Sequence, residues 1–123
     1  MATLPNGQRA IVPLAKVLDY LLSESHPDGR SKARFFRAGG FTPATADALA
    51  DALRLIARDG TLVESAVSPH GRKYVVDGRL MMPLGGSVLL RTIWITDRGT
   101  DVPRLVTAYP GPRERRGLGN GRA

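Results

Sequence analysis

The 123-residue sequence contains no cysteine, and this absence excludes several classes of protein. Without thiols the chain has no disulfide framework, no thiolate zinc site and no cysteine nucleophile. No apolar run reaches the roughly 18 residues of a membrane-spanning helix. The first nine residues also lack the basic-then-apolar order of a secretory signal. We therefore expect a protein without a membrane span whose activity, if any, depends on side chains other than cysteine.

The chain has the length of about one domain, and its 42% hydrophobic residues suffice for one core. It carries 18 lysines and arginines against 11 acidic residues, a net charge of +7 that favours polyanionic partners such as nucleic acid. The last thirteen residues contain four arginines, one glutamate and little apolar surface. Such a segment cannot offset the entropy cost of ordering its backbone. We predict one domain over residues 1–110 and a disordered basic tail over residues 111–123.

Three helices are predicted before residue 60. Apolar residues recur at helical spacing over residues 13–23, after a proline suited to a first turn. A short helix follows over residues 31–38, with Ser31 as N-cap and Gly39-Gly40 as the stop. A third helix begins at Thr42 and ends before Gly60. The predicted buried positions are Leu14, Val17, Leu18, Leu21 and Leu22 in the first helix, and Ala46, Leu49, Ala50, Leu53 and Ala57 in the third.

After Gly60 the pattern changes to runs rich in β-branched residues. Residues 61–68 and 72–77 flank Pro69-His70-Gly71, which is typical of a hairpin loop with Gly71 at positive φ. Residues 88–96 and 102–109 flank a five-residue loop, so they form a second hairpin. Helices followed by strands indicate an α+β fold. We predict three N-terminal helices followed by two hairpins that form a four-stranded antiparallel sheet.

The loop length of the second hairpin predicts which side chains share a face. If Thr96 and Val102 close the loop, Arg91 lies opposite Thr107, and Tyr109 is on the same face. An arginine, a hydroxyl and a phenol on one face make a candidate phosphate site. The alternative is an ordinary strand with a solvent-exposed arginine. The same register places Ile93, Ile95 and Leu105 on the face of Arg91, and it places Arg104 opposite Trp94. The residues predicted to pack against the helices are Val88, Leu90, Trp94, Val106 and Ala108.

The segment between the first two helices contains the second candidate group. His26 has a side chain that titrates near neutral pH, and Arg30 and Lys32 follow it closely. The alternative is an exposed loop histidine with two solvated cations. His70 is explained by its place in a hairpin loop. With two distant histidines and no carboxylate at ligand spacing, we expect no metal site.

No nucleotide-binding fingerprint, serine-hydrolase motif or paired carboxylates occur in the sequence, and we expect no cofactor. Metal-free RNA cleavage remains chemically possible. In that reaction a base removes the 2′-OH proton, a cation stabilises the phosphorane and an acid protonates the leaving oxygen. Histidine, lysine, arginine, threonine and tyrosine can fill these roles unaided.

The sequence resembles an uncharacterised bacterial domain family that is often encoded in toxin-like settings. The resemblance covers nearly the whole chain up to Pro110 and rests on five blocks. These are L-P-N at residues 4–6, H-P-x-G-x-x-K-A-R-F-F at 26–36, K-Y-V-V-D-G at 73–78, R-T-x-W at 91–94 and P-R-L-V-T-A-Y-P at 103–110.

More loosely, the chain is similar to the barnase/EndoU/colicin/RelE-like ribonuclease toxins, which place helices before a four-stranded antiparallel sheet and act without metal. This resemblance implies His26 as general base or acid and Lys32 or Arg91 as the cation. It further implies that Thr107 orients the phosphate and that Tyr109 stacks or donates a proton. Several members use two histidines, whereas His70 matches no motif here. Residues expected to contact nucleic acid are Arg30, Arg34, Arg104, Arg113, Arg115 and Arg116.

The hypothesis from the sequence is a small endoribonuclease toxin that cleaves RNA, for example tRNA, in the cytoplasm after delivery by a specialised secretion system. Such a toxin needs a cognate immunity protein or antitoxin, and an acidic protein would best cover its cations. Two alternatives remain open. One is a non-catalytic nucleic-acid-binding or adaptor module, and the other is the immunity partner of a toxin pair.

Overall fold

The computed structural model describes residues 2–23, 25 and 30–111, with Arg30 described by its backbone alone. Within these residues the fold is α+β, with three helical segments and a four-stranded antiparallel sheet that begins after the third. The predictions made for His26 and for the tail beyond Gly111 lie outside the described residues.

The first helical segment departs from the regular helix predicted over residues 13–23. It consists of one α-helical turn, α1 (Leu14–Lys16), that continues as a π-helical turn over Val17–Leu21. The N–H of Leu22 donates to the carbonyl of Val17 at 2.8 Å and closes the wider turn. An i→i+5 bond rotates the following residues relative to those before it. Leu21 and Leu22 are buried, as predicted, whereas Leu14 is 46% exposed, contrary to prediction.

The second and third helices lie close to where the sequence predicts them. α2 (Arg30–Ala38) ends at Gly39-Gly40, and Gly40 adopts a φ of +109° that favours glycine. A 3₁₀ turn, Pro43–Thr45, leads into α3 (Ala46–Asp59), and the N–H of Thr42 donates to the Thr45 hydroxyl at 2.9 Å. The predicted apolar stripe of α3 is buried at all five positions: Ala46, Leu49, Ala50, Leu53 and Ala57.

The predicted four-stranded antiparallel sheet is present and forms a continuous meander. Its strands are β1 (Thr61–Ser68), β2 (Gly71–Met81), β3 (Ser87–Asp97) and β4 (Arg104–Pro110), in spatial order β1-β2-β3-β4. β2 extends four residues beyond its predicted end and pairs with β3 along its full length. Gly71 has the predicted positive φ, +146°, and a Cβ there would lie 2.1 Å from the carbonyl oxygen of Thr96.

The predicted register between β3 and β4 is wrong by two residues at the Arg91 end. Arg91 lies opposite Tyr109, and Ile93 lies opposite Thr107. A β-bulge then shifts the pairing, so that Trp94 lies opposite Leu105. Alternation of residue types does not reveal a bulge, because the extra residue changes the phase within the strand.

The bulge also changes three side-chain positions from the predicted ones. Leu105 is fully buried in the core, and Val106 lines a groove on the other face of the sheet, the reverse of the prediction. Arg104 lies opposite Ile95 rather than Trp94. The hydrophobic core thus forms between the helices and one face of the sheet. Its sheet residues are Val76, Leu80, Leu90, Trp94, Leu105 and Ala108. We call the opposite face, which carries Val75, Asp77, Arg91, Ile93, Thr107 and Tyr109, the outer face.

A short chain of hydrogen bonds satisfies the polar groups in this core. The indole N–H of Trp94 donates to the hydroxyl of Thr92 at 2.7 Å, and that hydroxyl donates to the carbonyl of Val76 at 2.7 Å. Trp94 and Thr92 are both fully buried. A buried indole or hydroxyl without a partner is costly, so this chain stabilises the pairing of β2 with β3.

Thr92→Val tests this role. The substitution keeps the shape of the side chain but leaves the Trp94 N–H without its acceptor, and we expect a loss of about 1–3 kcal/mol of unfolding free energy. Urea denaturation followed by Trp94 fluorescence measures it. Thr96→Val, at a half-buried position on the same strand, should change stability by about 0.5 kcal/mol or less. Equal effects of the two substitutions would contradict the assignment.

Candidate functional site

Strand alternation brings three predicted site residues to the outer face. Arg91 lies on β3 opposite Tyr109, and Thr107 lies two residues before Tyr109 on β4. The two-residue error in register does not change the shared face, because side chains alternate with period two. A groove of about 440 Å³ runs beside them, lined by Ser68, Lys73, Ile93, Ile95, Val106, Thr107 and Tyr109.

Arg91 is held by a carboxylate that sequence reasoning did not single out. Asp77 lies opposite Arg91 on β2, and its two carboxylate oxygens accept hydrogen bonds from Nε and Nη2, each at 2.8 Å. The hydrogen bonds that Arg91 donates to Asp77 are the main cause that raises the pKa of Arg91, and the charges of Tyr109 and Glu64 contribute less. The pair is largely shielded from solvent, with side-chain exposures of 28% and 13%.

This pairing changes what Arg91 can do chemically. A guanidinium has five N–H donors in a planar fork, and two of them are used by Asp77. Arg91 is therefore a permanently charged, oriented group beside the Tyr109 phenol rather than an unrestrained cation. Asp77 offsets part of its charge. No local pattern predicts the pair, because it depends on the register between β2 and β3.

Tyr20, from the π-helical turn, connects two other predicted residues. The Thr107 hydroxyl donates to the Tyr20 hydroxyl at 3.4 Å. The Lys32 ammonium lies 5.5 Å from the Tyr20 ring centroid, and the Lys16 ammonium lies 5.2 Å from it. Because β4 is the edge strand, Tyr20 can reach Thr107 from the helical layer. Lys16 and Tyr20 are four residues apart, a spacing that places side chains together on a helix. No such signal links Tyr20 to Thr107, 87 residues away.

The remaining predicted residues lie elsewhere in the described structure or outside the described residues. Arg34 is exposed on α2. Arg104, near the other end of β4, donates from Nε and Nη2 to Asp97 at 2.7 and 3.0 Å. Arg30 is defined by its backbone at the start of α2. His26, Arg113, Arg115 and Arg116 lie outside the described residues.

The described part of the chain contains neither a metal-binding cluster nor a membrane-spanning helix. Residues 2–23, 25 and 30–111 contain no cluster of three or more histidine, aspartate and glutamate side chains suited to a metal ion. No helix in the same ranges is both long enough and apolar enough to cross a membrane.

Comparison with known proteins places most of the chain in one family. The model of DUF6883, a domain of unknown function, matches residues 3–112. Among solved structures, the fold is similar to a chain of the contact-dependent growth inhibition toxin–immunity protein complex from Klebsiella pneumoniae 342. The TM-score is 0.67 at 17% sequence identity, over 82% of this chain and 99% of that chain. No curated protein matches the sequence.

The Asp97–Arg104 pair predicts a pH dependence at the β3–β4 turn. The hydrogen bond from Arg104 lowers the pKa of Asp97, and the charges of Arg104 and His70 act in the same direction. The pair therefore stabilises the fold above the ordinary carboxyl pKa, and the contribution is lost as pH falls through the lowered folded value. NMR titration of the Asp97 carboxyl should give a midpoint below about 3.9. Asp97→Asn should lose less stability on acidification than the wild type. A parallel acid dependence would contradict the pairing.

Proposed function

Since the chain belongs to the DUF6883 family and shares its fold with a chain of a growth-inhibition toxin–immunity complex, we propose that it is a small ribonuclease toxin. Its substrate is cellular RNA, and its reaction is metal-independent endonucleolytic cleavage by acid/base catalysis. It acts in the cytoplasm of the target cell after delivery by a specialised secretion system. A cognate immunity protein or antitoxin neutralises it.

The observation that carries this proposal is the gathering of cations and hydroxyls around β4. Arg91 and Tyr109 lie opposite each other on the outer face, while Thr107 connects through Tyr20 to Lys32. Arg91, Tyr109, Thr107 and Lys32 come from α2, β3 and β4. The resemblance to ribonuclease toxins implies them, together with His26, as site residues. Cleavage of a phosphodiester requires stabilised negative charge and positioned proton donors, which such groups supply.

Each residue takes the role that its surroundings favour. Arg91, oriented by Asp77, presents its remaining N–H donors to the phosphorane, and Lys32 adds a compact positive charge. The Thr107 hydroxyl orients the phosphate. Tyr109 stacks on a base or donates a proton to the leaving oxygen. His26, outside the described residues, is proposed as the general base or acid.

The charge of α2 supports an acidic immunity partner. Residues 30–38 contain four lysines and arginines and no acidic residue. An acidic surface that covers this helix would be attracted to it at long range, and it would also block access to the Lys32 side of the site.

A non-catalytic RNA-binding module is the second candidate, and the Arg91–Asp77 pair favours it. The carboxylate uses two of the guanidinium's donors and offsets its charge, which weakens Arg91 as a transition-state cation. A protein of this kind would bind RNA through the same groups and leave it intact.

Cleavage of RNA by the purified protein tests the primary proposal. We expect total RNA or tRNA to be cut in buffer that contains EDTA. We expect His26→Ala to lower the rate about 10²–10⁴-fold, because it removes a proton-transfer group. His70→Ala is the matched control, since His70 is exposed at the β1–β2 turn, and should cut at the wild-type rate. Intact RNA at stoichiometric excess of protein would refute the ribonuclease.

Expression of the chain alone separates a toxin from an immunity protein. We expect growth arrest in bacteria that produce the wild-type chain, and normal growth with His26→Ala at matched protein levels. Normal growth with the wild-type chain, together with rescue of cells that produce a toxin encoded beside it, would assign the chain to the immunity role instead.

A further inference from the structure

Two ammonium groups from different helices gather on one aromatic ring. Lys16 of α1 and Lys32 of α2 lie 5.2 and 5.5 Å from the ring centroid of Tyr20. Both lysines and the tyrosine are partly buried. Each cation is attracted by the negative face of the ring, and this attraction offsets part of the repulsion between two like charges. The ring thus concentrates positive charge at one point of the surface.

We call Lys16, Tyr20 and Lys32 the Tyr20 cluster. Contacts between the helical segments fix its position. Tyr20 lies in the π-helical turn, and such turns occur frequently at functional sites. The Arg37 guanidinium donates to the carbonyl of Leu22 at 3.3 and 3.2 Å, which ties α2 to the end of that turn. The two helical segments that supply the lysines are therefore fixed relative to each other.

The two helical segments that supply the lysines are basic. The π-helical segment with α1 (residues 14–21) and α2 (residues 30–38) together contain five lysines and arginines and one acidic residue, Asp19. Among the described residues, no carboxylate lies within ion-pair distance of Lys16. A basic stripe formed by two adjacent helices attracts a polyanion.

We propose that the Tyr20 cluster, together with the Thr107 hydroxyl, is a phosphate-binding subsite for single-stranded RNA, separate from Arg91. This inference rests on the proposed function, and it adds Lys16 and Tyr20 to the Lys32 and Thr107 that the proposed reaction already uses. Ammonium groups are compact charges that bind phosphate oxygens. The Thr107 hydroxyl donates to the hydroxyl of Tyr20, and both ammonium groups lie near the ring of that tyrosine.

The position of the cluster favours a flexible strand over a duplex. The Tyr20 cluster lies on the helical side of β4, whereas Arg91 and Tyr109 lie on the outer face. Thr107 and Tyr109 are separated by two residues, about 7 Å along the strand. A nucleic acid that contacts both groups must bend around the edge strand. A single strand can follow this path, whereas an A-form duplex presents a broad and stiff surface.

Binding of a non-cleavable RNA tests the subsite. The probe is a fluorescent 2′-O-methyl oligoribonucleotide, whose affinity is measured by anisotropy in EDTA over a series of salt concentrations. We expect Lys16→Gln to weaken binding several-fold and to reduce the slope of log K against log salt by about 0.7, the loss of one phosphate contact. Arg54→Gln removes the same charge from α3, where Arg54 pairs with Asp51, and should leave the slope unchanged. Equal slopes for the two variants would overturn the proposal.

Substitutions of Tyr20 separate the ring from its hydroxyl. Tyr20→Phe keeps the ring that holds the lysines and should retain most of the affinity. Tyr20→Leu keeps both lysines but removes the ring, and it should lower the affinity and the salt slope. The thermal midpoint of Lys16→Gln should stay at the wild-type value. Wild-type binding by a folded Tyr20→Leu protein would contradict the role of the ring.

The subsite and the ribonuclease can fail separately. Binding that depends on Lys16 without any cleavage of natural RNA would support the subsite and contradict the proposed ribonuclease activity. Cleavage with binding that is indifferent to Lys16 and Tyr20 would support the enzyme and overturn the subsite. Absence of binding to both the probe and natural RNA would overturn both.

Discussion

The indole N–H of Trp94 is buried at the centre of the sheet and requires a hydrogen-bond acceptor there. The Thr92 hydroxyl supplies this acceptor while donating to the Val76 carbonyl. Thr92 lies directly opposite Val76, so the hydrogen bonds hold β2 and β3 in one register. That register places Asp77 opposite Arg91, one residue away on the outer face. The core network and the Arg91–Asp77 pair of the site thus depend on the same strand pairing.

The β-bulge in β4 has a comparable effect on the other side of β3. It turns Leu105 into the core beside Trp94, while Thr107 and Tyr109 stay on the side of Arg91. A regular strand could not place Leu105 in the core and Thr107 on the outer face, since strict alternation gives these two residues the same face. Because β4 is also the edge strand, Thr107 meets Tyr20 from the helical layer. The candidate site consequently extends around the sheet edge.

Charge is distributed unevenly between these two sides. On the outer face, Arg91 is partly neutralised by Asp77, and Glu64 is near enough to affect its pKa. On the helical side, the Tyr20 cluster is next to a basic helix without acidic residues. We therefore expect the helical side to supply most of the affinity for a polyanion. We expect the groups on the outer face to orient a phosphate. With this division, the proposed RNA site would extend over more than one nucleotide.

Local sequence patterns determined the α+β class, the third helix with its buried stripe, the positive φ of Gly71 and the shared face of Arg91, Thr107 and Tyr109. Each of these depends on helical or strand periodicity or on the conformational preference of a single residue. The wider turn at Val17–Leu21, the bulge, the Asp77 partner of Arg91 and the Tyr20–Thr107 contact were decided by tertiary structure. They depend on pairing between strands or on packing between residues as many as 87 positions apart, and such long-range choices leave no periodic signal in the chain.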